Sequence, residues 1–477
     1  MKNPLYLAIC LICFKSFSQE AVKNIDLGIS KKAEVFQIVE EDKKQVSLFF
    51  SAKTNVLSVR FDEKFNVIDS LKTEKPLSKN YDDIVGYSVS GNKYYTYWSG
   101  VGELLSQCFD FETHKVISKT LPIALEGGKI IKRITVDNVF YIVSVLKNTS
   151  VLSVYVIKEG TIEKKRVDMS SYEFFSKDNK SVTLWDIVSG STYFEPAYVF
   201  QTISTESPPS LTFSAYKRKL YILKNKLLFT LDNNTRFTQT FTLDLTDFKS
   251  STKMFPQTSS DNINYDNTNS FVLNDKMIQI KINPDLMKLA VKDMQDRELK
   301  NFFIDNQEIS FKNSDIYQEN GSVKDLRILG KSSQLLRKIN GLYPSVSLYE
   351  ANQNIYMILG GVSEVKQNNG MMYGGAGMAG MAGMSGVFIG MALSSNYSLN
   401  NLNSYKQRKV VYINCLFDPE FNHLNGEIKN TSFDKLRAFS ETKEDLIAPV
   451  LFKLNSNLYY GGYDRKTGNY SFYKFND

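Results

Sequence analysis

Histidine is nearly missing from this sequence: it occurs twice in 477 residues. That scarcity removes His-rich metal sites and most His-centred catalytic machinery. Cysteine occurs four times, too seldom for a disulfide scaffold. A surplus of one charge is also missing. Lys and Arg total 58 against 51 Asp and Glu, a balance of +7. Lys2 and Lys15 fall in the first eighteen residues, so a chain starting at Gln19 carries 56 − 51 = +5. The basic clusters Lys43-Lys44 and Lys164-Lys165-Arg166 are short and sit beside acids. They read as solvated faces, not as the basic stripe of a nucleic-acid binder. What the chain does hold is apolar and aromatic: 42% hydrophobic residues, with 13% Phe, Trp and Tyr. Such a chain buries large cores and is not disordered.

Motifs for catalysis are missing as well. No P-loop, dinucleotide fingerprint or His-Glu-x-x-His stretch occurs. Gly383-Met-Ser-Gly386 departs from the nucleophile elbow at its final glycine. His114 and His423 each follow a strand-ending Asp and read as surface turn residues. Asn262, Asn264 and Asp266 imitate the start of a calcium loop, but Asn267 and Leu273 stand where its glycine and distal glutamate belong. The expectation is a protein that is not an enzyme and holds no cofactor or metal.

Residues 1–18 read as a secretory signal peptide. Lys2 supplies the positive start and Leu5 to Phe14 the apolar run, and Ser16-Phe17-Ser18 offers small residues before a cut near Ser18. The run is too short to span a bilayer, which takes ~20 residues. Cys10 and Cys13 follow Ile9 and Ile12, so neither has the small preceding residue that lipoprotein processing needs. The expectation is a soluble exported protein spanning 19–477. Its two remaining cysteines, Cys108 and Cys415, fall in distant repeats and read as buried free thiols.

The chain is organised by a repeat. Each unit has a Tyr-rich alternating strand, then another alternating strand that often ends in Asp. The first kind includes Val46–Phe50, Asn92–Tyr97, Asn138–Val143, Lys219–Leu223, Lys276–Ile280, Asn354–Ile358 and Asn457–Tyr460. The second includes Leu57–Asp62, Leu105–Asp110, Leu152–Val156, Leu228–Asp232, Met287–Val291, Val411–Asp418 and Tyr470–Phe475. Period-2 alternation with β-branched and aromatic enrichment makes these strands. Asp62 and Asp110 lie 48 residues apart, about one four-stranded propeller blade. The pattern predicts an all-β chain, a β-propeller of seven blades, whose last blade borrows a strand from Asn24–Ile29. A pair of β-sandwiches is the competing architecture. Asp62, Asp110, Asp232 and Asp418 occupy matching positions and are expected to start turns.

Three stretches interrupt the repeat. Residues 170–210 read as a long ordered loop, and 305–343 as a polar wrap whose Leu326, Leu329, Leu335 and Leu336 line a short helix, weakened by Gly330. Residues 367–405 contain no Asp, Glu, Lys or Arg, and Gly370–Leu393 holds eight of the 26 glycines and six of the 13 methionines. This Gly/Met-rich loop is inserted in the sixth repeat. Its core repeats every three residues, matching neither helix nor strand. Four readings stand: a transmembrane helix with Gly386-x-x-x-Gly390 packing, a thioether copper site, a low-complexity loop without a role, and a loop that inserts into a partner. The last nominates Met371, Met372, Tyr373, Met378, Met381, Met384, Phe388 and Met391 as partner-binding residues.

The signal ending Ser16-Phe17-Ser18-Gln19, the Tyr-rich degenerate propeller and the Gly370–Leu393 insertion together resemble the periplasmic plug proteins of the type 9 secretion translocon. The resemblance implies a non-catalytic protein of the periplasm. Such a protein docks on an outer-membrane barrel or other envelope protein, plugs the export channel, and meets the membrane only through that partner. The alternative function is a carbohydrate-binding or hydrolytic propeller, with Tyr94, Tyr95, Tyr97 and Trp98 stacking on sugars in a central funnel.

Overall fold

Period-2 patterning becomes seven sheets, antiparallel but for one short strand of blade four, arranged as the blades of a propeller. The structure, a computed structural model, describes residues 21–29, 33–77, 80–192, 194–204, 207–257, 264–365 and 397–476. The signal segment 1–18 and the eight nominated partner-binding residues lie outside this set.

Blade one shows the local logic. Glu34–Glu40, Gln45–Ser51, Asn55–Phe61 and Val67–Glu74 pair in sequence order from the axis outward. The second and third strands are buried almost throughout, because each of their faces meets a neighbouring blade. The fourth is largely exposed and carries charge, which blunts its free edge. Blades two, three and five repeat this order.

The core lies between blades, so each second strand supplies two interfaces. Along Lys93–Gly100, Tyr94 and Trp98 pack towards blade one while Tyr97 packs towards blade three. These residues are buried, and Tyr97 stacks on Phe140 of blade three with ring centroids 5.4 Å apart. They belong to the core and not to a sugar-binding funnel. Each buried aromatic contributes ~1.5–3 kcal/mol of transfer free energy.

Five of the third strands end in an aspartate turn. Asp62 Oδ1 accepts from the N–H groups of Lys64 and Asn66 (2.9 and 2.8 Å), and Asp418 Oδ1 does the same for Glu420 and Asn422 (3.0 and 2.8 Å). Phe65 and Phe421 close these turns at φ of 58° and 60°. Asp110, Asp244 and Asp293 start the others. Asp232 does not. In blade four Lys219–Leu223 lies in the first strand, Arg218–Leu223, and Leu228–Asp232 runs through the second, Lys226–Leu231. The third strand is the Thr-rich Phe237–Asp244. The repeat assignment for that unit was one strand early, because a Thr-rich strand shows little apolar contrast.

Two blades depart from sequential order. Blade seven pairs Ile447–Leu454, Asn457–Asp464 and Asn469–Phe475 with the N-terminal strand Ala21–Ile25, which closes the ring antiparallel to Asn469–Phe475. The closing strand starts three residues before the expected Asn24. Blade six takes Tyr343–Ala351, Asn354–Val362 and Val410–Phe417, then finishes with Ile316–Glu319 and Leu326–Leu329 from earlier in the chain. Leu326 therefore lies on an edge strand, not on a helix. The helix covers only Ser332–Asn340, and Gly330 separates the two. Leu335, Leu336 and Ile339 are fully buried in the core shared with blades five and six.

Candidate functional site

Antiparallel alternation puts the connections between second and third strands, and the links that join blades one to five, on one end of the propeller. The link from Asn354–Val362 to Val410–Phe417 emerges there, and so does the link from blade three to blade four. The first carries the uncharged segment, the second the 170–210 insertion. The two meet.

The blade-four side is fixed first. Residues 170–217 form a small hairpin (Phe174–Phe175 with Ser181–Val182) and a helix, Leu184–Ser189, capped by Thr183 and Asp186 in a capping box. The strand Gln201–Ile203 then runs parallel to Arg218–Leu223, along the axial edge of blade four. Arg218 locks this insertion in place. Its Nε donates to Glu195 Oε1 (3.2 Å), Nη1 to Val188 O (2.6 Å) and Nη2 to Pro196 O (2.7 Å), with both side chains under 10% exposed. Beside it Lys219 is fully buried, donating to Asp232 Oδ2 (2.7 Å) and Asn269 Oδ1 (2.8 Å). Asp232 also accepts from the Thr238 and Ser270 hydroxyls (2.7 and 2.8 Å). Burial alone would raise the Asp232 carboxyl, but the Lys219 charge and these bonds outweigh it and hold it low.

From Ile203 the chain crosses to blade six. The short helix Leu211–Ser214 packs on Tyr343–Ala351 and Asn354–Val362. Ser345 Oγ donates to Leu211 O (2.9 Å), and Ser347 Oγ to Pro209 O. The crossing thus ties the insertion of blade four to the innermost strand of blade six.

The base of the uncharged segment stands on this crossing. Ser363 N donates to Lys409 O (2.8 Å) and Arg408 Nη1 to Ser363 O (2.8 Å), so the outgoing and returning chains are clamped at one point. Phe194 stacks on Tyr343 at 4.2 Å, and the Arg408 guanidinium lies 5.2 Å from the Phe194 ring. Buried aromatic and cation–π contacts of this type contribute ~1–2 kcal/mol each. Desolvation lowers the Arg408 guanidinium. Burial, with the Glu364 carboxylate accepting at 2.6 Å, raises the Tyr343 hydroxyl.

The last nine residues of the charge-free stretch belong to the scaffold. Tyr397–Asn403 is helical, and Leu402 is buried against blade seven. Asn401 accepts from Ser210 N and donates to Pro208 O, both at 2.7 Å. Tyr405 OH accepts from Leu211 N (3.0 Å). No charge pattern marks these residues, so the sequence alone merged them with the loop.

The remaining nominees are scattered. His114 is exposed in a turn at φ 55°, while His423 is half-buried, 3.1 Å from Asn313 Oδ1, and lowered by desolvation. Cys415 is buried in blade six as expected. Cys108, in blade two, is only partly buried, because its cross-strand neighbour on the same face, Ile117 of the fourth strand, is itself exposed. Asn262 lies outside the described residues, and Asp266 accepts from Asn340 Nδ2 (2.9 Å). Among the described residues no group of three His, Cys, Asp or Glu side chains is placed to hold a metal ion, and no helix is long and apolar enough to cross a membrane.

No family model and no curated protein matches the sequence. Solved structures do match, at low identity. The WD40 domain of SCAP from fission yeast is 9% identical at a TM-score of 0.28, with 72% of this chain and 96% of that one covered. The Dos1 propeller is 10% identical at 0.26, covering 80% and 78%. Dihydro-heme d1 dehydrogenase NirN is 9% identical at 0.27, and the chain spans 48% of its length. The propeller assignment itself rests on the sheet topology above.

Proposed function

We propose that this is a non-catalytic interaction protein of the periplasm that docks on an outer-membrane export channel and plugs it with the Gly/Met-rich segment. One observation carries the reading: the chain on either side of the uncharged stretch 367–405 is clamped together at Ser363 and Lys409 on one end of the propeller, and its last nine residues pack on the scaffold. Methionine side chains adapt to irregular apolar surfaces, and glycine leaves the backbone free to follow them. The clamp at Ser363 and Lys409 sets where the segment leaves and rejoins the propeller. Met371, Met372, Tyr373, Met378, Met381, Met384, Phe388 and Met391 are the proposed contacts. The protein meets the membrane only through its barrel partner, after removal of residues 1–18.

The test is deletion of 370–393 from the tagged protein, followed by affinity isolation from envelope extracts. Loss of a co-purifying outer-membrane protein, with the melting temperature of the propeller unchanged, is the expected result. Equal capture by the deletion variant overturns the proposal.

A further inference from the structure

Blades six and seven do not pack sheet against sheet along their outer part. The helix Ser432–Ser440 stands between them, and beside it opens a cleft of about 890 Å³. Its floor is a fixed polar set: Arg437 pairs with Glu319 (Nη1–Oε1 3.1 Å), and Tyr412 OH donates to Glu319 Oε1 at 2.7 Å. Tyr317 and Tyr412 lie side by side, with ring centroids 5.6 Å apart at 55°. The cleft leads into a smaller recess of about 70 Å³, and the two share Asn414, Ile428 and Asp434 as walls. The recess is mainly apolar, framed by Pro208, Tyr349, Tyr356 and Ile358.

Each part has a chemical counterpart. The recess is the size of one side chain, and its walls accept an aliphatic or thioether group. Asn414, Asn425 and Asn430 line the cleft with amides, each offering a donor and an acceptor of the kind a peptide bond matches. Charge is one-sided. Arg437 is spent on Glu319 and Lys312 faces Glu308 at 3.8 Å, whereas Asp315 and Glu427 are exposed and make no ion pair among the described residues. The two tyrosines are tilted against each other, so they present no flat platform for a sugar ring.

We propose that this cleft binds an extended peptide segment of a partner, seating one apolar side chain in the recess with a lysine or arginine beside it. The site adjoins the anchored end of the uncharged stretch, where Asn401 donates to the recess wall Pro208 at 2.7 Å, but its described lining includes no residue of 367–405. Tyr356 precedes Val362 by six residues on one strand, about 20 Å at ~3.3 Å per residue. Peptide binding is tested on variants outside 367–405, so its failure and the failure of channel plugging are told apart.

The probe is a displayed library of random heptapeptides panned against the full chain. Enriched sequences are expected to place Leu, Ile, Met or Phe within two positions of Lys or Arg. A synthesised enriched peptide should lose affinity about tenfold on Ala438→Trp, an exposed helix position that narrows the cleft mouth. It should also weaken on Glu427→Lys, and more so at low salt, with melting temperatures unchanged for both variants. Failure of any sequence to enrich overturns the proposal. So does enrichment of acidic peptides, undiminished binding to Ala438→Trp, or capture of oligosaccharides by this cleft in place of peptides.

Discussion

Buried cations decide much of this protein's behaviour at the level of single residues. Lys132, on the first strand of blade three, is 3% exposed and donates to Phe200 O at 3.3 Å. Desolvation lowers its ammonium to about 7, against ~10.4 in an unfolded chain. Between those values the unfolded chain binds more protons than the folded one, so stability rises with pH across that window and is lost on acidification. Urea titrations should show a gain approaching about 1.4 kcal/mol per pH unit between pH 7 and 9. Lys132→Met should flatten that gain; a slope unchanged by the substitution would count against the assignment. Neither Lys132 nor the Lys219–Asp232 pair was legible in the sequence. A lysine one position along an alternating strand looks like the solvent face, and only the insertion packed over blade four turns it inward. Asp62 and Asp418 were legible as turn residues, because the turn is local and its bonds span four residues.

Whole elements show the same division between local and distant causes. Strand pairs joined by short turns were readable from periodicity. The extra strand Gln201–Ile203 of blade four was not, since three residues carry no period and its pairing is parallel. The closing strand Ala21–Ile25 was foreseen from the missing partner of blade seven, and its register places Asn24 opposite Ser471, whose hydroxyl donates to Asn24 Oδ1 at 2.7 Å. Removing residues 19–25 should expose the edge of Asn469–Phe475. The expected outcome is a lower melting temperature and concentration-dependent self-association in sedimentation experiments. A truncated protein that stays monomeric with unaltered melting would show that the ring does not need this latch.

At the scale of the molecule, the seven-blade count and the position of the Gly/Met-rich insertion were both readable, because each repeats or interrupts a pattern. The crossing from blade four to blade six was invisible, since nothing in residues 201–216 announces a partner strand 134 to 138 residues further on. That crossing joins non-adjacent blades through Ser345, Ser347 and Asn401. With the ring latched at one seam and bridged across its middle, calorimetry should record one unfolding transition. Two resolved transitions would mean that the bridge is mechanically idle.

Blade six holds a consequence for the order in which the protein is made. Its outer strand Ile316–Glu319 is synthesised before the three strands it completes, and Glu319 meets Tyr412 across 93 residues of chain. Ala21–Ile25 likewise waits for a partner 447 residues away, from Asn24 to Ser471. The first gap closes when Val410–Phe417 emerges, the second only with Asn469–Phe475. During synthesis two strands therefore wait with bare edges, a hazard for mispairing. A chaperone that shields strand edges has its window before residue 475 arrives, and loses its substrate as soon as the ring shuts.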